Sequence, residues 1–234
     1  MKVLELFSGT GSVGKCCKQL GWDVVSVDMI LPADHKCDIM DFDYKQYDKD
    51  DFDIVWASPP CQSYSALQNC WKGRMRNGKI FTQQDIDNMM NEADKLVLKS
   101  FEIIDYFNPS LWFLENPQTG RLKQRDIMKD IPYYDVSYCM YSDWGYEKKT
   151  RIWTNKKDWN NLICDKSGAC GNMVLCNTKE KRDKLRKHKV NLSVDIGCGS
   201  QKNQPKDLKF LGKGTNRIDR YRVPSDLIYS LFLD

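Results

Sequence analysis

The sequence predicts an α/β fold: a doubly wound, Rossmann-like and mostly parallel sheet with helices on its faces, a terminal antiparallel strand and a small insert lobe. Three observations carry this expectation. Short apolar runs alternate with stretches of helical periodicity, and the first run passes through a glycine turn directly into a helix. A later run, Phe52 to Ala57, has the continuous apolar character of a parallel strand buried on both faces and stops at Pro59-Pro60. At 234 residues the chain can bury one substantial core and carry a small appended lobe.

The elements follow in order. Val3 to Phe7 reads as a buried strand, Ser8 to Gly14 as a glycine turn, and Val13, Cys16, Cys17 and Leu20 as the apolar stripe of a helix that Gly21 closes. Asp23 to Val27 is a second strand ending at Asp28, and Phe52 to Ala57 a third. Thr82-Gln83-Gln84-Asp85 has capping-box spacing. Ile86, Met89, Met90, Ala93, Leu96 and Val97 then recur at three- and four-residue steps, which predicts a long amphipathic helix reaching Phe107 and broken by Asn108-Pro109. Leu111 to Leu114 is a short strand that ends at Glu115-Asn116-Pro117. Tyr133 to Tyr141 and Arg151 to Thr154 form a closing antiparallel pair. The stretch 155–215 is polar and lysine-rich, and Arg222 to Leu227 starts a final amphipathic helix, with Ser225 or Asp226 near its cap. The expected organisation is a main domain over 1–154, an insert over 155–215 and a C-terminal helix over 216–234 that returns to the main domain.

Composition narrows the class. Apolar and charged residues, at 41% and 29%, are those of an ordinary soluble protein, and no apolar run is long enough to span a bilayer. The first residues enter a strand without the pattern of a secretory signal, so an intracellular location is expected, in the cytoplasm or with the genome of a host cell. Ten cysteines in a chain of this length read as mostly reduced thiols rather than as a disulfide scaffold. The net charge of +4 is modest. Its positive part gathers at Lys72, Arg74, Arg76 and Lys79 and again from Lys179 to Lys189, both readable as solvated faces or as contacts to a polyanion.

Ligands of doubly wound sheets bind beyond the carboxyl ends of the strands, where three segments fall: Phe7 to Gly14, Ser58 to Gln62, and Glu115 to Pro117. Gly9-x-Gly11-x-x-Gly14 with Asp28 ending the next strand suits an adenosine-containing cofactor, whether of a dehydrogenase, a flavoprotein or a methyltransferase. Cys61 reads either as a small buried hydrophobe or, past a strand end and ahead of a basic loop, as a reactive thiol. Paired with Glu115 at another strand end, it suits attack on an electron-poor ring whose nitrogen the acid holds.

Phe7-Ser8-Gly9-Thr10-Gly11, Pro59-Pro60-Cys61-Gln62 and Glu115-Asn116-Pro117 stand in the order and approximate spacing seen in DNA cytosine-5 methyltransferases. The sequence resembles that family over roughly its first 155 and last 20 residues. Asp38-Ile39, Lys149-Thr150-Arg151 and Val223-Pro224 extend the resemblance. It implies transfer of a methyl group from S-adenosylmethionine to C5 of cytosine in DNA, through addition of Cys61 to C6 of a flipped base. It further implies that Glu115 holds N3 and that Arg151 orients the base, with Lys149 where the family has the first arginine of its Arg-x-Arg segment. The cofactor would lie against Phe7, Ser8, Gly9, Thr10, Gly11, Asp28, Met29, Asp38, Ile39, Pro59 and Val223. The nucleic acid would meet Gln62, Ser65, Trp71, Lys72, Arg74 and Arg76. A monomer acting on DNA is expected, of restriction-modification or viral type, in the first case with a cognate restriction endonuclease.

The pattern also departs from the family. Tyr221-Arg222 precede Val223, where the family carries an asparagine. The short insert implies a short or relaxed recognition sequence. Alternatives are the same chemistry on RNA or on a free pyrimidine nucleotide, and a catalytically silent nucleic-acid-binding regulator. No metal is expected in the chemistry. Cys164, Cys170, Cys176 and His188, with Cys198 nearby, could nevertheless form a zinc staple for a lobe with little core, although their spacings are wider than the usual close cysteine pairs.

Overall fold

A computed structural model describes residues 1–177, 184–195, 213–215 and 218–234. In chain order the elements are β1 (Lys2–Leu6), α1 (Ser12–Gln19), β2 (Asp23–Val27), β3 (Ile54–Ala57), β4 (Met75–Arg76), β5 (Lys79–Ile80), α2 (Gln83–Phe107), β6 (Leu111–Pro117), β7 (Tyr133–Ser137) and β8 (Lys149–Thr154). They are followed by β9 (Met173–Asn177), β10 (Lys184–His188), β11 (Val190–Asp195), β12 (Lys213–Thr215) and α3 (Ser225–Leu233). The α/β architecture expected from the sequence is the one observed. A six-stranded sheet runs in the order β2-β1-β3-β6-β8-β7, with β2, β1, β3 and β6 mutually parallel and β8 antiparallel to β6.

The strand order places the site. From β1 the chain moves to β2 on one side, and then returns to lay β3 on the other side of β1. A crevice opens at such a reversal because the connections leave in opposite directions, and it opens at the carboxyl ends of β1 and β3.

The chain forms two units: Met1–Tyr134 with Thr150–Asp158, and Asp135–Lys149 with Trp159–Asp234. In the first, Leu4, Leu6, Val55, Ala57 and Leu114 of the central strands pack in one apolar cluster with Ile86, Val97, Ile104 and Phe107 of α2. The capping box at the start of α2 is complete: the Thr82 hydroxyl accepts from the Asp85 backbone N–H, and the Asp85 carboxylate accepts from the Thr82 N–H. At the other end Asn108, with φ 44°, closes the helix in the left-handed region. Helix α1 ends in a Schellman turn, in which Gly21 at φ 74° allows Trp22 N–H to reach the Cys17 carbonyl at 2.9 Å.

The second unit contains the antiparallel pair β9–β10, the parallel pair β11–β12, and α3, which buries Leu227, Ile228, Leu231 and Phe232. Its helix begins at Ser225, within the Arg222 to Leu227 stretch expected from the sequence. Pro224 is the N-cap with no side-chain hydrogen bond, and Asp226 lies in the first turn, where its charge suits the helix dipole. The Trp159 indole N–H donates to the Ser230 hydroxyl at 2.8 Å, and the indole stacks on Tyr141. Among the described residues no helix is long and apolar enough to cross a membrane, and the eight described cysteines form no disulfide.

One carboxylate joins β1 to α1. Glu5 is 3% exposed and accepts from the Val13 and Gly14 backbone N–H groups at 3.2 and 3.0 Å. A Cβ on residue 14 would stand 2.8 Å from Glu5 Oε2, which accounts for the third glycine of the fingerprint. Burial outweighs both hydrogen bonds and pushes the Glu5 carboxyl up from 4.5 to about 7. A raised carboxylate favours the folded state most when protonated. The contribution is therefore fully present below pH 4.5 and is lost as pH rises through about 7, at a cost on the order of 3 kcal/mol. Thermal melts of the wild type and Glu5→Gln across pH 5 to 8 should diverge, the wild type losing stability with rising pH and the variant showing a flatter profile. Parallel profiles would show that Glu5 keeps an ordinary pKa.

Candidate active site

The floor of the site is set by strand register. Ala57 of β3 lies beside Leu114 of β6, so Ser58-Pro59-Pro60-Cys61 leaves β3 where Glu115-Asn116-Pro117 carries β6 on, paired only with β8. Asn116 is fully buried, and its Nδ2 donates to the Pro59 carbonyl at 2.9 Å, tying the two exits together. Its Oδ1 has no protein partner. Beyond the prolines, half-buried Cys61 caps a single 3-10 turn, Gln62–Tyr64, and its carbonyl accepts from the Tyr64 N–H at 3.1 Å.

A buried network holds that turn from behind. The Tyr64 hydroxyl, on a side chain with no exposure, donates to Asp94 Oδ1 at 2.9 Å. Asp94 Oδ2 accepts from Arg125 Nε at 2.9 Å and Nη2 at 2.6 Å, and Arg125 also reaches Asn91 Oδ1. Burial, reinforced by the Asp94 bond, pushes the Tyr64 phenol well above its usual range, so it serves as a permanent donor. The backbone N–H of Arg121 donates to the Tyr64 carbonyl at 2.9 Å, which joins the turn to the segment leaving β6. Sequence reading missed all three residues. One signal was present: Asp94 is a charged position inside the apolar stripe formed by Met90, Ala93 and Val97.

Glu115 is 6% exposed at the end of β6. Arg151 on β8 is the cross-strand partner of Asn116, one register position from Glu115, and its guanidinium lies 3.5 Å from the centroid of the Tyr133 ring. The first unit thus places Glu115 and Arg151 on the adjoining strands β6 and β8, and Cys61 just beyond β3, the strand on the other side of β6. Lys149 belongs to the second unit, where it is exposed and pairs with Glu147 at 3.9 Å. Val223 also belongs to that unit and is buried just before α3.

The turn after β1 adopts left-handed backbone at Phe7, Gly9 and Gly11, with φ of 56°, 53° and 66°. A left-handed aromatic residue is unusual and marks a constrained loop. Asp28 closes it: one carboxylate oxygen accepts from Gly9 N–H at 2.9 Å, and the other accepts from Ile30 and Leu31 at 2.8 and 2.7 Å. The Ser8 hydroxyl is buried with no protein partner. Thr10 bonds Ser12 through their hydroxyls at 3.0 Å. Met29 is exposed, whereas Ile39 packs in the same apolar cluster as Leu6 and Val27. Asp38 is half-buried, and its Oδ1 accepts from Met40 N–H at 2.9 Å. An orphaned buried hydroxyl, an acidic group and an exposed apolar side chain at this turn suit a ligand with both polar and apolar parts.

The segment after Cys61 is more ordered than a plain loop. Ser65 caps the short helix Ala66–Trp71 by accepting from Leu67 N–H, and Gln62 is exposed with its carbonyl bonded to Gln68. β4 and β5 then form a hairpin whose Asn77-Gly78 corner has φ of 49° and 77°, as a type I′ turn requires. That dipeptide was a hairpin signal left unread in the sequence. Lys72 and Arg74 are exposed, whereas the Arg76 guanidinium lies 5.1 Å from the Trp71 ring and 5.3 Å from Phe81. Arg76 therefore braces the hairpin. Leu67, Met75 and Ile80 are exposed along it. In the second unit Cys164, Cys170 and His188 converge, while the Cys176 side chain, Cys198 and residues 179–183 of the basic run lie outside the described residues.

No protein-family model matches the chain. It is 36% identical over 233 residues to a protein of Frog virus 3 (isolate Goorha) described as a probable DNA (cytosine-5)-methyltransferase, covering 99% of this chain and 98% of the relative. Solved structures similar to it include Entamoeba histolytica methyltransferase EhMeth, with TM-score 0.48, 17% identity and 70% of this chain covered. A Spodoptera frugiperda DNMT2 variant gives TM-score 0.42, 18% identity and 69% coverage. The chain spans 56% and 54% of those two structures.

The Asn116 bond yields a direct test. Asn116→Ala leaves the buried Pro59 carbonyl unpaired and should lower unfolding stability by about 1–3 kcal/mol, read as a lower urea midpoint at unchanged slope. Tyr64→Phe should cost about 1 kcal/mol by the same measurement. A midpoint unaltered in both variants would remove these bonds from the account of the site.

Proposed function

This chain belongs to the DNA (cytosine-5)-methyltransferase family, and on that premise we propose that it methylates C5 of cytosine in DNA with Cys61 as its nucleophile. The observation that carries the reading is the arrangement at one sheet edge. Cys61 follows β3 and Glu115 lies in the last part of the neighbouring parallel strand β6, the two segments joined by the Asn116 bond to Pro59, beside the constrained turn that follows β1.

The chemistry follows from those groups. The Cys61 thiolate adds to C6 of the ring, a C–S bond forms, and the electron pair of the C5–C6 double bond moves toward C5 and N3. Glu115 bonds or protonates N3 and so stabilises the charge that addition creates. Arg151, already oriented by Tyr133, faces the polar edge of the base. S-adenosylmethionine, when bound, supplies an electrophilic methyl group. Phe7, Ser8, Gly9, Asp28 and Met29 would hold it, with the unpartnered Ser8 hydroxyl and the Asp28 carboxylate meeting its polar parts. Once C5 carries the methyl group, loss of its proton to a base supplies the electron pair that expels Cys61 from C6, which restores both the ring and the thiolate.

C5 and C6 of a stacked cytosine are inaccessible, so the base must leave the duplex or be presented in a single strand. The hairpin after Cys61 suits a cover over such a base, with Lys72 and Arg74 toward phosphates and Trp71, Met75 and Ile80 as an apolar edge.

DNA containing 5-fluorocytosine provides the test. Fluorine at C5 cannot leave as a proton does, so the wild type should remain covalently joined to the oligonucleotide at Cys61, as found by peptide mass analysis. Cys61→Ser should form no adduct while binding S-adenosylmethionine as before. Glu115→Gln should reduce turnover about 10²- to 10³-fold. Failure to form an adduct with DNA, tRNA or dCMP would overturn the nucleophile, and preference for either of the last two would overturn the DNA assignment.

A further inference from the structure

We propose that the second unit holds one structural zinc ion, bound by the Sγ atoms of Cys139, Cys164 and Cys170 and by His188 Nε2. These four ligand atoms all lie within 4.8 Å of one another. His188 Nε2 stands 3.9 Å from Cys164 Sγ and 3.8 Å from Cys170 Sγ. A tetrahedral ion with Zn–S of about 2.3 Å and Zn–N of about 2.1 Å requires ligand-to-ligand distances of roughly 3.6–3.8 Å. The observed spacings therefore need only a slight contraction around an ion, and they leave no room for a multinuclear cluster.

Burial and backbone support separate this group from a chance gathering of thiols. Cys139 and Cys164 are 1% and 6% exposed, and Cys170 and His188 are half-buried. Behind them stands Asn172, 3% exposed, whose Nδ2 donates to the carbonyls of Cys139 at 2.8 Å, Cys170 at 3.0 Å and Ser142 at 2.7 Å. Its Oδ1 accepts from Gly145 N–H at 3.0 Å, and its backbone carbonyl accepts from the residue after His188 at 2.9 Å. One buried amide thus fixes three of the ligand-bearing segments by bonds that involve no ligand side chain. This is the outer support that oriented metal ligands need.

The donor set selects the ion. Three thiolates and an imidazole favour zinc over calcium or magnesium, which take oxygen ligands. Four protein ligands fill a tetrahedron and leave no open position for water or substrate, so the role is structural. Cys139 comes from the segment 135–149 and the other ligands from 159–234, so the ion would join the two stretches of chain that make up this unit. The sequence concealed the set because Cys139 lies before β8, far from the insert, and Cys164 and Cys170 have five residues between them rather than two.

The full-length protein, purified without chelator and analysed by plasma mass spectrometry, should carry about one zinc per chain. Replacement by cobalt should give the ligand-field and thiolate charge-transfer bands of a tetrahedral site. In the native wild type, alkylation of Cys139, Cys164 and Cys170 should accelerate at least about tenfold on chelation, while exposed Cys70 keeps its rate. Cys164→Ser and His188→Ala should lose the metal, and Cys37→Ser should retain it. These wild-type readings decide the matter even if the ligand variants fail to fold. A cooperatively folded chain that takes up neither zinc nor cobalt, or a disulfide mapped between any two of the three thiols, would overturn the proposal.

Discussion

Parallel pairing of β1, β3 and β6 is the constraint on which the site depends. Because the three strands point the same way and lie side by side, the residues that follow each of them meet at one edge, although long stretches of chain separate them. A slip of one residue in either pairing would turn every side chain to the opposite face and separate Ser58 from Glu115. The hydrogen bond from Asn116 to Pro59 acts where the ladder ends, at the point where the two exits would otherwise diverge. The left-handed turn after β1 is held from a third side, through Asp28 at the end of β2.

The supports on the two sides of the edge differ in kind. Glu5 joins strand to helix with a buried carboxylate that sits near neutrality in its titration. The Tyr64, Asp94 and Arg125 network instead joins the Cys61 turn to α2 through a charged pair with a neutral donor above it. Breaking a pair of that type leaves an uncompensated buried charge, so the network resists stepwise loss. The hairpin is anchored by exposed groups instead: Lys79 pairs with Asp85 at the start of α2, and Lys72 reaches Gln83. Its strands are two residues each, and its main internal brace is an arginine stacked between two aromatic rings. Exposed ion pairs contribute little, so the hairpin is held less firmly than the buried network behind the Cys61 turn.

Much of this was legible in the sequence, for identifiable reasons. The parallel strands were visible as continuous apolar runs, and α2 was visible because Thr82 and Asp85 mark its start and Asn108-Pro109 its end. Cys61, Glu115 and the Phe7 to Gly11 turn stand out in the sequence because strand ends are where such folds bind ligands. What escaped was long-range pairing. Tyr64, Asp94 and Arg125 lie 30 or 31 residues apart along the chain, and no local pattern announces that their side chains meet. That Arg76 lies over the Trp71 and Phe81 rings is likewise not visible in sequence, where an exposed and a stacked arginine look the same. Cys139 escaped because its partners begin 25 residues downstream, beyond a strand of the other unit.

The chain enters the second unit at Asp135, returns to the first for Thr150–Asp158, and leaves again at Trp159. Neither unit is therefore a contiguous stretch of polypeptide. A fragment ending before Thr150 lacks β8 and with it Arg151, and one beginning at Trp159 lacks Cys139 and the carbonyls that Asn172 holds. During synthesis the first unit must wait for β8 after the second has already begun, and the second closes only when residues on both sides of β8 have emerged. The two units are interleaved along the sequence, so neither is complete on a growing chain before the other has begun.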